Sequence, residues 1–113
     1  HWPLSLGPGA DGLGELHPAA LELAAGADLL IHDAQFVAAE FPAVGYLGHA
    51  SVEYAVALAA AAGAHRLALF HHAPDRTDAE LDEIVRGCRG APVDTFAAAE
   101  GMTVELGVFA RPR

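Results

Sequence analysis

Two short segments constrain the fold of this chain more than any other feature. "LLIHD" (29–33) and "LALFHH" (67–72) each run apolar without alternation, then end abruptly in ionisable groups. A strand with one wet face alternates apolar and polar residues, whereas continuous apolar runs mark strands covered on both faces, as in α/β layered folds. The segments around them carry helix signals. Pro18 and Gly26 frame a helix within 17–27. Ser51 is a good N-cap for "VEYAVALAAAAG", which Gly63 closes, with Val52, Val56 and Ala59 as its packing stripe. Thr77 and Glu80 fit a capping box that opens a helix with Leu81, Ile84, Val85 and Cys88 on one face. Residues 1–15, with glycines at 7, 9, 12 and 14, read as a loop, and 16–110 as the α/β region of a unit no larger than one domain. Residues 34–50 read as irregular, because Pro42, Gly45 and Gly48 prevent a long helix. The spacing beyond Val93 predicts a short helix or strand up to Ala98, a strand over 102–107 and a frayed tail.

Charge narrows the function classes. Fifteen acids against six bases give a formal charge of −9, so this segment is not built to grip a phosphate backbone. A nucleic-acid partner would need basic surface from elsewhere. No run approaches the ~20 apolar residues of a membrane span, and no basic, apolar leader opens the chain. The single cysteine, Cys88, excludes an internal disulfide and suits a reducing cytoplasm, which is the expected location.

Seven histidines stand out in 113 residues, but only some can be read. His17 precedes a helix and is expected at the surface, and His65 is expected in solvent. The informative set is His32, Asp33, His49, His71 and His72. Each has a plain structural explanation: a satisfied core imidazole, a turn cap, or a strand end in water. Together they lie where an α/β fold binds ligands, beyond the carboxyl ends of its strands, with His49 just before a helix N-terminus suited to anions. Paired carboxylate and imidazole groups are the inventory for acid–base work beside a metal. No HExxH, CxxC or phosphate-binding P-loop is present, so spacing alone does not name the chemistry.

The order "GADLLIHDAQF", "GHAS", "HRLALFHHAP" resembles the second half of a metallo-β-lactamase-fold hydrolase, closest to the ribonuclease Z and phosphodiesterase branch. His32, Asp33 and Ala34 match that branch's "HEAT"-like motif, His49 to Ser51 match its "HST"-like motif, and His71 matches its last metal-binding histidine. The likeness covers roughly residues 26 to 85. It implies the C-terminal half of an αββα sandwich, with His71 as a direct ligand of one of two metals, usually zinc, with manganese or iron as substitutes. It implies His49 as the imidazole acting on the scissile phosphate or leaving oxygen, Asp33 as the group orienting His49, and His32 as a supporting residue behind them. His72 has no firm counterpart and leaves a one-residue ambiguity about the ligand. The implied chemistry is metal-dependent hydrolysis of a phosphodiester by activated water.

Two departures qualify this resemblance. The family's HxHxDH motif is absent from the chain, and Asp11 is a poor substitute for the bridging aspartate. The chain opens on "HWP" instead of Met, which is the expectation for a C-terminal half-domain whose N-terminal half supplies the remaining ligands and covers its exposed sheet face. Such a fragment would be inactive alone; a homodimer is compatible with it. The acidic charge favours a cyclic nucleotide or similar small diester over RNA. The rival readings are a non-catalytic α/β binding or regulatory module with incidental histidines, and a hydrolase of the same fold acting on RNA, a thioester or a lactone, or a di-iron oxidoreductase.

Overall fold

A computed structural model describes residues 1–106. The strands β1 (Leu30–Asp33), β2 (Arg66–Phe70) and β3 (Asp94–Ala97) form a parallel sheet in that order. Parallel pairing needs a crossover between strands, and helices supply it. The helices are α1 (Pro18–Ala24), the single turn α2 (Phe41–Val44), α3 (Val52–Ala62) between β1 and β2, and α4 (Asp78–Gly87) between β2 and β3. The fold is therefore mixed α/β and compatible with part of a metallo-β-lactamase-like domain. The register sets Asp33 beside Phe70, and Leu69 beside Ala97, so all three strands end at one rim.

Local chemistry sets the helix ends. Ser51 Oγ accepts the Tyr54 N–H at 2.9 Å, and Gly63 closes α3 with φ +70°, donating to Ala59 and Ala60 carbonyls. Thr77 Oγ1 accepts from Glu80 N–H (3.2 Å) while Glu80 Oε1 accepts from Thr77 N–H (2.9 Å), completing the expected capping box. Pro42 lies in the first turn of α2.

One face of the sheet meets the helices. Leu67 and Leu69 pack with Ala34, Val52, Ala55, Ala59 and Val93, and Ile84 of α4 and Cys88 just after it close over them. Ala55 and Ala59 are fully buried, which lets α3 approach the strands closely. The stripe on α3 is wider than expected. Tyr54 and Leu58 are buried with Leu13, Phe41 and Ala50 under the N-terminal segment, whereas Val56 is only half-buried. That segment is a built strap, including a 3-10 turn at Pro3–Leu6. Gly14 has φ +123°, and a Cβ there would fall 2.4 Å from the Pro3 carbonyl oxygen, so no other residue fits.

Two expectations are corrected. The alternate residues of the strands are not covered on both sides: Ile31 is 61% and Phe70 54% exposed, leaving that face open at these positions. Residues 102–106 form no strand; the Met102 N–H turns back to the Ala99 carbonyl, and the strand forms earlier, as β3. Helix α1 ends as expected at its glycine: Ala24 is its last residue, and Gly26 at φ +65° donates to the Ala62 carbonyl, binding the chain to the end of α3. Gly107 and the expected frayed tail lie outside the described residues.

Candidate active site

Asp33 ends β1, and the following loop is bound back to the start of α3. Phe36 N–H donates to the Ala50 carbonyl (3.3 Å) and Val52 N–H to the Phe36 carbonyl (2.8 Å). This sets His49 beside Asp33. The Asp33 carboxylate then joins three segments: Oδ1 accepts from Ala50 N–H (2.8 Å) and Gln35 N–H (3.4 Å), and Oδ2 lies 2.7 Å from His49 Nδ1. His71, one residue beyond β2, brings its Nδ1 to 3.4 Å from the same Oδ2. The two imidazoles stack, with centroids 4.7 Å apart and planes 8° from parallel. Phe36 meets His49 edge-on at 6.3 Å.

His71 holds φ +59°, alone among the described non-glycine residues in having a positive φ. A bulky side chain pays for that conformation, so neighbouring contacts must hold it there.

The arrangement assigns hydrogen-bonding roles. A carboxylate oxygen is acceptor-only, so His49 donates to it from Nδ1–H and keeps Nε2 for another partner. Asp33, His49 and His71 can each offer a donor atom, all within 4.8 Å of one another, and no other such group of His, Cys, Asp or Glu occurs among the described residues. This nitrogen and oxygen set suits zinc, manganese or iron. Asp33 already accepts three hydrogen bonds, which suits it to orient imidazoles more than to bind metal itself. A catalytic metal needs more ligands than the two remaining imidazoles supply.

The other expected residues separate. His72 turns away, its Nε2–H donating to the Ala98 carbonyl at 3.1 Å, so His71 alone of the pair reaches the cluster. His32 does not touch His49 or His71. Strand alternation sends it to the opposite face from Asp33, near Tyr54 (5.8 Å) and His1 (5.5 Å), and it meets Asp33 only by donating Nδ1–H to the main-chain carbonyl at 2.7 Å. His17 is not the surface residue expected; it is half-buried, and its Nδ1 is enclosed without a hydrogen-bond partner. His65 is exposed as expected. Sequence reasoning missed Gln35, whose amide Nε2 lies 3.2 Å from His71 Nδ1, and Arg76, which binds the Gln35 carbonyl and Glu40.

Burial pushes the His32 pKa below its ordinary value of 6.5, against a smaller opposing effect of its bond to the Asp33 carbonyl. The unfolded chain therefore binds this proton more readily than the folded one. His32 contributes no penalty above pH 6.5, and stability falls as pH drops below it. Urea unfolding from pH 7.5 to 5.5 should show a shallower decline for His32→Gln than for wild type. Equal slopes would assign the decline to groups other than His32.

No family model matches this chain. It is 35% identical over 82 residues to a ribonuclease Z of Thermoplasma volcanium, covering 73% of this chain and 26% of that protein. It is 36% identical over 90 residues to ribonuclease Z from two strains of Halobacterium salinarum, covering 80% of this chain and 29% of theirs. The chain is similar to a segment of ribonuclease Z. It spans less than a third of the length of these relatives, by the shares of 26% and 29%. Among the described residues, no helix is long and apolar enough to cross a membrane.

Proposed function

We propose that the protein carrying this chain is a metal-dependent phosphodiester hydrolase of the ribonuclease Z kind, and that this segment supplies the C-terminal share of its site. The observation that carries the reading is the meeting of Asp33, His49 and His71 at the ends of neighbouring parallel strands. His71 would hold one of two metals, most simply zinc. When bound, such metals make water nucleophilic at neutral pH and offset negative charge on the phosphate.

The residues of this chain do the rest. Protonated His49, with Nδ1–H on Asp33, offers Nε2–H to the departing oxygen and is left neutral once that proton moves. The Asp33 carboxylate stabilises the charged imidazole before transfer and keeps the ring turned. The open face at Ile31 and Phe70 supports a second layer packed there, supplied by the rest of the polypeptide.

Two substrate classes compete. The similarity to ribonuclease Z favours RNA, whereas the −9 charge of this segment favours a small diester such as a cyclic nucleotide. Basic surface elsewhere in the protein would restore RNA, and hydrolysis assays on folded RNA and on cyclic nucleotides separate the two.

The decisive test is metal content. After equilibrium dialysis at neutral pH, elemental analysis of the full-length protein should find about two metals per chain. His71→Ala should lose or weaken one of them. No metal in wild type, or the same content in both, would return the chain to the reading of a non-catalytic α/β module.

A further inference from the structure

We infer that Gln35 and Arg76 are positioning residues for His71, forming a relay that presents its Nε2 to a metal. The inference rests on the reading of His71 as a ligand.

His71 is half exposed and stands on a left-handed backbone, so neither burial nor backbone preference holds its ring. The amide end of Gln35, with Nε2 at 3.2 Å, and Asp33 Oδ2 at 3.4 Å instead flank its Nδ1. A metal on Nε2 needs the proton on Nδ1, where Asp33 Oδ2 accepts it; the Gln35 amide accepts it too once its end is turned to bring Oε1 into the place of Nε2.

Gln35 is itself held. Arg76 Nη2 donates to the Gln35 carbonyl at 3.0 Å and to Glu40 Oε1 at 2.8 Å, while Nη1 donates to Glu40 Oε2 at 3.0 Å. Glu40 Oε1 also accepts the Val37 N–H at 2.9 Å, which fastens the middle of the same loop. The Arg76 side chain is only 9% exposed, although Glu40 is 41% exposed, so the guanidinium is seated in the protein and not lying on its surface. Its hydrogen bond to Arg76 holds the Glu40 carboxyl below the usual range, and Glu40 in turn raises Arg76.

The contacts close a ring. The loop after β2 carries both His71 and Arg76; Arg76 reaches the loop after β1 and fixes the main chain at Gln35; the Gln35 side chain returns to His71. A guanidinium fork satisfies Glu40 and a carbonyl at once, which a lysine cannot reproduce. Groups that orient a ligand from behind set how well it is preorganised, and their loss typically weakens metal binding about 10- to 100-fold.

The test is zinc affinity of the full-length protein, measured by competition with a chromophoric chelator. Wild type is compared with His71→Ala, Gln35→Met, Arg76→Ala, Arg76→Lys and the Gln35→Met/Arg76→Ala double variant. Methionine keeps the length of Gln35 without its hydrogen bond. Gln35→Met and Arg76→Ala are each expected to weaken, by about 10- to 100-fold, the zinc site that His71→Ala removes. Arg76→Lys should fall short of wild type. The double variant should bind no more weakly than the worse single one, because Arg76 acts through Gln35. Wild-type affinity in Gln35→Met or in Arg76→Lys, or losses that add in the double variant, would overturn the relay. Should Arg76→Ala fail to fold, Gln35→Met and Arg76→Lys still decide. If His71→Ala binds zinc like wild type, the ligand reading fails and takes the relay with it. If His71→Ala loses zinc and Gln35→Met does not, the relay alone fails.

Discussion

In the full-length protein, replacing His49 by alanine is expected to slow the proposed phosphodiester hydrolysis by about 100- to 10,000-fold, the span of one well-placed general acid. The fold should tolerate the change. The His49 side chain is 35% exposed, and the helix behind it is capped independently by Ser51, whose Oγ accepts the Tyr54 N–H. Metal content should stay close to wild type, because His71 is the imidazole assigned to the metal. The proton-donor role adds a sharper requirement. A nitrophenolate leaves without protonation, so the defect should shrink on a nitrophenyl diester and be largest on an alkoxide leaving group. Paired rate measurements on the two substrates check this. An equal loss on both would remove His49 from proton transfer and leave it a phosphate-binding group.

Asp33 is expected to show a double defect. Asp33→Ala removes the acceptor for the Ala50 N–H, whose residue is 2% exposed, and an unsatisfied buried donor costs about 1–3 kcal/mol. It also frees His49 to rotate, lowering the rate by roughly 10- to 100-fold. Asp33→Asn separates the two effects. The amide oxygen can still accept from Ala50, so chemical denaturation should give near-wild-type stability. The amide nitrogen would then face His49 Nδ1 and favour the tautomer that places the proton on Nε2, with no carboxylate to stabilise a charged ring. The rate should therefore fall at least as far as in Asp33→Ala. Restoration of both stability and rate by asparagine would reduce Asp33 to a turn cap.

The parts of the molecule legible in the sequence are those whose causes are local. Ser51 and Thr77 cap helices through groups three residues away, and Gly63 ends α3 through its own backbone, so each signal sits beside its effect. The strand ends at Asp33 and His71 were legible because a buried run cannot continue into ionisable groups without a partner or solvent. That these ends lie at one rim followed from parallel strands joined by helices. The resemblance to ribonuclease Z pointed to residues 33, 49 and 71, and the structure brings those side chains together.

Other features needed the assembled chain. Continuous apolar strands implied cover on both faces, yet Ile31 and Phe70 remain open, because an apolar residue records a preference for burial without stating what covers it. Alternation puts His32 and Asp33 on opposite faces of β1, but only the position of α3 shows that Tyr54 meets the first and His49 the second. The choice between His71 and His72 turns on a left-handed backbone at residue 71, which residue type cannot place between two adjacent histidines. Gln35 and Arg76 act on His71 from segments 36 to 41 residues apart in their pairings, with no periodicity to link them. By itself the sequence determined the helix ends, the strands β1 and β2 and the chemical types gathered at the rim, since propensity, capping and burial act within a few residues. Tertiary structure alone decided which imidazoles share one carboxylate and what holds them, because hydrogen bonds of about 3 Å between distant segments depend on packing that no local pattern encodes.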